Sequence, residues 1–158
     1  MVEDVHTIDS EAGAERYPAR APLPPREAVA VFAGGVIAAL VRSALEHGFP
    51  VRAGAWPWAT FSVNMAGTAL LGYAVARLPH EPEPAPSATA RAFVAAGVCG
   101  TLTTFSAMMF ELLKMLDAGH VGLAFAYSAT SIAGGLVAVI AAGALGARAA
   151  VGRGAELA

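Results

Sequence analysis

Four long apolar runs separated by short polar connectors set the pattern of this chain. The first runs from about Ala28 to Leu45 (AVAVFAGGVIAALVRSAL), the second from Trp56 to Ala76, the third from Ala92 to Leu116 and the fourth from Val121 to about Leu145. A hydrocarbon core about 30 Å thick takes roughly 17–25 helical residues to cross, and each run falls in that range. The pattern therefore predicts an all-α membrane protein with four transmembrane helices and both termini on the same side. No strand alternation, heptad array or tandem repeat competes with this reading. Residues 1–27 carry Glu3, Asp4, Asp9, Glu11, Glu15 and prolines at 18, 22, 24 and 25. They cannot build an apolar core, so a disordered polar tail is expected there. Its acidic start is unlike a secretory signal peptide. The expected organisation is a tail over 1–27, a transmembrane domain over 28–147 and a short C-terminal tail over 148–158.

Polar residues inside the runs carry the information that hydropathy lacks. The third run is crowded with Gly97, Gly100, Thr101, Thr103, Thr104 and Ser106. Glycine weakens a helix, and threonine hydroxyls can take over backbone hydrogen bonds, so a break in the third helix is expected. A break frees carbonyl oxygens, which are ligands for a small hard cation; the alternative is that these small residues only bring helices close together. In the second run Thr60, Asn64 and Thr68 share one helical face. The Asn64 amide offers two donors to an anion without burying a full positive charge, or alternatively an interhelical hydrogen bond. Tyr127 and Ser131 form a similar pair, four residues apart, in the fourth run. Arg42 and Glu111 are ionisable groups at or near membrane depth, where such groups line cavities or pair. Arg42 can also snorkel to the interface.

Composition narrows the function classes. Only 14% of residues are charged and the mean hydropathy is +0.58, against roughly 25% charged in soluble domains. A net charge of -2 provides no basic surface, so nucleic acid is not an expected partner. Cys99 is the single cysteine, which excludes an intrachain disulfide and a cysteine-built metal site. The four histidines lie in polar segments or connectors without a metal-ligand spacing, and no phosphate loop or nucleophile elbow is present. An enzyme is not expected.

Four motifs then converge. GVCGTLTTFSAMMFE, residues 97–111, resembles the signature of the Fluc (CrcB-like) fluoride channel family, approximately GxCGGxTTFSTFxxE. GGVIAALVR, residues 34–42, is similar to that family's GGxxGAxxR, and TFSVNMAGTALLG, residues 60–72, to its TxxxNxxGxxxxG. Tyr127 and Ser131 fall where the family has its fourth-span Tyr and Ser. The resemblance implies an antiparallel, dual-topology dimer of four-helix subunits with two fluoride pathways along the interface. It implies that Thr60, Asn64, Thr104, Phe105, Ser106, Met108, Tyr127 and Ser131 line a pathway, with Phe105 presenting a positive ring edge to the anion. Arg42 and Glu111 fall on family positions near the pathway or vestibule. By the same likeness, the carbonyls of Gly100 and Thr103 surround a structural Na⁺ at the dimer centre. Two positions depart from the family pattern: Thr101 replaces a second glycine, and Met108 replaces a second pathway phenylalanine.

The implied function is passive export of F⁻ across the cell inner membrane, protecting against fluoride toxicity. Two rivals stand beside it: a non-conducting accessory subunit of a heterodimeric channel, and a small dimeric drug exporter. The exporter would need a carboxylate in mid-membrane, usually in its first span, and Ala28 to Leu45 has none. Arg16, Arg20, Arg26, Arg77, Arg91, Arg148 and Arg153 lie on the face that carries the termini. Arg52 and Lys114, with Arg42 if it snorkels, lie on the other. That bias favours cytoplasmic termini and one orientation. An antiparallel dimer then needs an oppositely oriented paralogous subunit; with mixed insertion, a second copy of the same chain serves.

Overall fold

The computed structural model describes residues 22–51, 54–77 and 85–156. Its helices are α1 (Pro25–Gly48), α2 (Trp58–Arg77), α3 (Ala85–Arg91), α4 (Gly100–Leu102), α5 (Phe105–Asp117) and α6 (Val121–Glu156), with a π-helical stretch, Ala92–Cys99, between α3 and α4. Four segments among the described residues are long and apolar enough to cross a membrane: Pro25–Gly48, Trp58–Arg77, Ala88–Asp117 and Val121–Ala149. The chain is a multi-pass membrane protein. The expected tail lies outside the described residues as far as position 21. Helix α1 starts at Pro25, earlier than the apolar pattern alone indicates, because proline at the first helical position is already set in φ and lacks an N–H that would go unused there. Helix α6 continues to Glu156, past the expected end near Leu145; alanine and arginine after that point are strong helix formers.

The helices pair in two sets. Helix α2 lies along α6, and α1 lies along the first half of the third span. Contact in the second set is backbone-close. A Cβ added at Gly34 would stand 2.6 Å from the Phe93 carbonyl oxygen, and one at Gly97 would stand 2.7 Å from that of Val31. Such approaches are what small residues permit in a membrane, where no hydrophobic force drives helices together and packing must do so. The large apolar side chains point mostly outward, as Phe32, Leu40, Phe125 and Val137 do. This surface suits hydrocarbon rather than water.

The third span is interrupted. Its first half widens into the π-helical stretch, where the Gly100 N–H bonds the Ala95 carbonyl. Thr103 (φ -74°, ψ 141°) and Thr104 (φ -143°, ψ 112°) are extended, and α5 restarts at Phe105. Thr101 sits in the last helical turn before this break, so the residue that replaces the family's second glycine is accommodated as helix. The interruption falls opposite Gly67 of α2, where a Cβ would come within 2.6 Å of the Thr103 methyl. Substitution should separate the two kinds of glycine. Gly34→Val or Gly97→Val is expected to lower stability by about 1–3 kcal/mol through overpacking, read as a lower unfolding temperature in detergent. Gly122→Ala, with nothing within 4 Å of the added carbon, is expected to leave it unchanged or slightly raised.

Candidate functional site

Two hydrogen-bonded clusters and a groove gather most of the polar residues from inside the spans. The first cluster lies toward the face that carries the α1–α2 and α5–α6 connections. Thr60 Oγ1 donates to Glu111 Oε1 at 2.5 Å, and Tyr127 Oη donates to Glu111 Oε2 at 2.8 Å. Tyr127 is fully buried and Glu111 only 9% exposed. Each carboxylate oxygen thus has its own hydroxyl donor from a different helix. A buried carboxyl group requires such partners.

The second cluster closes the helix break. Thr104 N–H donates to Asn64 Oδ1 at 2.8 Å, and Asn64 Nδ2 donates back to the Thr104 carbonyl at 3.2 Å. The Asn64 amide therefore stands in for a helical neighbour on both sides of one peptide. Thr104 Oγ1 caps α5 by accepting from Ala107 N–H at 3.2 Å, and it lies 3.3 Å from Ser106 Oγ. Upstream, the Thr103 N–H and hydroxyl both donate to the Cys99 carbonyl, at 3.2 and 2.9 Å.

This arrangement has a consequence for two carbonyls. In an unbroken helix Gly100 C=O would accept from Thr104 N–H, and Thr103 C=O from Ala107 N–H. Both N–H groups are diverted to side-chain oxygens. Gly100 is exposed and Thr103 half-buried in the single chain, and neither carbonyl has its helical donor. Among the described residues no cluster of three His, Cys, Asp or Glu side chains could hold a metal ion. Arg42 does not turn away from the protein. Its Nη1 approaches the Thr101 carbonyl at 3.5 Å, the outer limit for a hydrogen bond, and its Nε lies 3.6 Å from Glu46.

Between α2, α5 and α6 lies a groove of about 290 Å³, lined in part by Asn64, Thr104, Phe105, Met108 and Ser131. Ser131 Oγ is buried and has no hydrogen-bond partner among the described residues. Phe105 is 71% exposed at the groove, whereas Met108 is buried. Thr60, Tyr127 and Glu111 are bonded to one another instead of lining it, and Ser106 is exposed beside it. Sequence reasoning missed Met65, Ile132 and Gly135 in the groove wall. Gly135 sits one turn beyond Ser131 on the same face, a spacing that was available, but glycine has no polar group to attract notice.

A family model described as "CrcB-like protein, Camphor Resistance (CrcB)" matches residues 29–144. The chain belongs to the CrcB-like family. It is 48% identical over 114 residues to fluoride-specific ion channel FluC 1 of Mycobacterium tuberculosis (strain CDC 1551 / Oshkosh), covering 72% of this chain and 85% of that one. It is 39% identical over 117 residues to fluoride-specific ion channel FluC of Stutzerimonas stutzeri (strain A1501), covering 72% and 90%. With FluC of Azotobacter vinelandii it shares 40% identity over 114 residues, covering 70% and 88%. The resemblance read from the four motifs is borne out, and every motif lies inside the CrcB-like match.

The Glu111 cluster can be tested without any transport assay. Thr60→Val leaves one buried carboxylate oxygen without its hydroxyl and is expected to cost about 1–3 kcal/mol. In a Glu111→Gln background the same change should cost less, because the carboxyl that accepts from Thr60 is gone. A double-mutant cycle on thermal unfolding measures the difference; equal costs in both backgrounds would show that Thr60 and Glu111 are not coupled.

Proposed function

We propose that the chain is a subunit of a fluoride-selective channel that exports F⁻ passively and so limits fluoride toxicity. The observation that carries this reading is the similarity to fluoride-specific channels across all four spans. The groove supports it chemically. Fluoride is small and strongly hydrated, so a pore must replace its water with fixed donors. An amide, hydroxyls and an aromatic edge do this without a lysine or arginine charge that would hold the ion too tightly. Hydrogen fluoride crosses bilayers uncharged and dissociates near neutrality, and membrane potential then suffices to drive the anion out.

The working unit in this reading is an antiparallel dimer. Phe105 stands exposed at the groove, where a second subunit would enclose its ring and complete the pathway. The partner is a second copy or an oppositely oriented paralogous subunit. The carbonyls of Gly100 and Thr103 would hold Na⁺ at the dimer centre, where the bound cation supplies positive field between two anion pathways. Thr104 and Ser106 would present hydroxyls beside Asn64, and Ser131 would add its free hydroxyl from α6. Tyr127 and Thr60, bonded to Glu111, would order the pathway's far half. The proposed location is the cell inner membrane with both termini cytoplasmic, following the arginine bias. Burial of Met108 keeps a second reading in play: with one aromatic fewer, the subunit could complete a partner's channel while conducting poorly itself.

Reconstitution separates these readings. Liposomes holding the purified protein should release F⁻ and retain Cl⁻ once an ionophore permits K⁺ flux. Comparable Cl⁻ release would refute selectivity, proton-coupled export of an organic cation would identify a drug exporter, and F⁻ release only with a paralogous subunit would identify an accessory role. Asn64→Asp places a carboxylate beside the Thr104 carbonyl and in the anion's path, and is expected to stop flux. Orientation is measurable by labelling cysteines introduced in the connectors of a Cys99→Ser chain. Labelling of one site from one side only is expected; equal labelling from both sides would indicate mixed insertion and a homodimer.

A further inference from the structure

Closing the helix break uses most of the polar groups that reach the groove between α2, α5 and α6. Asn64 gives its Oδ1 and one N–H to the Thr104 peptide, and Thr104 Oγ1 caps α5. Thr68 also lines this groove, one helical turn after Asn64 on the same face of α2, and takes no part in those bonds. A threonine or serine hydroxyl inside a membrane helix commonly returns to the carbonyl four residues back. Thr103 does so to Cys99 at 2.9 Å, and Ser128 to Ala124 at 3.0 Å. Thr68 makes no such bond to Asn64, so among the described residues its half-buried hydroxyl is uncommitted. A hydroxyl without a partner at membrane depth is costly, and the groove is the space from which one can come.

The register of α2 against α6 sets the height of each polar group. The two helices run side by side in the same direction, with Met65 against Gly134 and Gly72 against Val139. Ser131 therefore lies a little before the level of Asn64, and Thr68 lies one turn, about 6 Å, beyond it, toward the face that carries the termini. Neutral groups follow one another along the groove wall in the order Ser131, Asn64, Thr68. Side chains four apart on a helix have Cβ atoms about 5–6 Å apart. In that interval one small anion can accept from the second Asn64 N–H and from the Thr68 hydroxyl together. No carboxylate lines the groove, so no fixed negative charge stands in the way. Fluoride accepts stronger hydrogen bonds from such donors than chloride does, so the pair favours the smaller ion.

We infer that the Thr68 hydroxyl is a fluoride-binding donor that holds the ion jointly with Asn64 and extends the pathway from the helix break toward the termini face. The inference rests on the channel reading and names a residue that reading does not include. Methyl NMR on the full-length protein in nanodiscs tests it, with threonine methyls ¹³C-labelled and the Thr68 signal assigned by its loss in Thr68→Ser. NaF should shift that signal in a saturable way, and NaCl at the same concentration should leave it in place. In liposomes Thr68→Val, similar in shape but without the hydroxyl, should lower F⁻ efflux about tenfold, the scale of one hydrogen bond to an ion. Thr68→Ser, which keeps the hydroxyl, should recover most of that loss. A Thr68 signal indifferent to NaF, or equally moved by NaCl, overturns the inference even if the unaltered channel conducts. So does Thr68→Val efflux equal to that of the unaltered protein, or Thr68→Ser efflux as low as that of Thr68→Val. Should the unaltered channel release no F⁻, the channel reading fails, and the titration still decides whether Thr68 binds the ion. If Thr68→Val does not fold, the same titration decides.

Discussion

Hydrocarbon offers no hydrogen bonds, and every unusual feature of this fold answers to that constraint. A helix interrupted at mid-membrane exposes several N–H and C=O groups that water cannot serve. Here the exchange between Asn64 and Thr104 serves them: the amide accepts from one side of a peptide and donates to the other. Thr104 then uses its own hydroxyl to cap the helix that follows. Without those side chains, two extended residues at this depth would be among the costliest backbone in the molecule. With them, the interruption becomes a stable structure whose remaining free oxygens are confined to a few positions.

The same constraint explains why glycines and charges sit where they do. Gly67 makes room for Thr103, and Gly34 and Gly97 let α1 approach the third span until backbones meet. Close approach is needed because the widened helix ahead of the break must be held from the side. Glu111 is kept in the protein by two hydroxyls, and Arg42 is turned toward the helix end rather than into lipid. Glu111 is thus partnered by groups from two other helices, which ties the placement of side chains to the placement of spans. At the groove the Ser131 hydroxyl is left over as a neutral polar group.

Much of this was legible in the chain. Twenty-residue apolar runs, the Gly/Thr cluster between positions 97 and 106, and Asn64 on one face with Thr60 are properties of order and spacing along a single line. Hydropathy sums over neighbours, and helical periodicity converts spacing into faces, so spans, the break and the polar set follow from sequence. Four motifs in their order were enough to indicate the family.

Pairing was not legible, because it depends on how helices far apart in sequence are rotated and offset by a few ångströms. Thr60 and Asn64 are one turn apart on α2 and read alike as donors, yet one meets Glu111 and the other meets the backbone of Thr104. Met108 was visible as a departure from the family pattern, but its burial beside an exposed Phe105 follows from its packing with Met115, Ala124 and Tyr127. An indole at a span end, such as that of Trp56, ordinarily serves as an interfacial anchor. Only the tertiary packing of Phe61 and Tyr127 around it closed its N–H away from lipid. Sequence determined which groups must lie within the membrane; the relative setting of the helices decided which of them satisfy one another and which remain free.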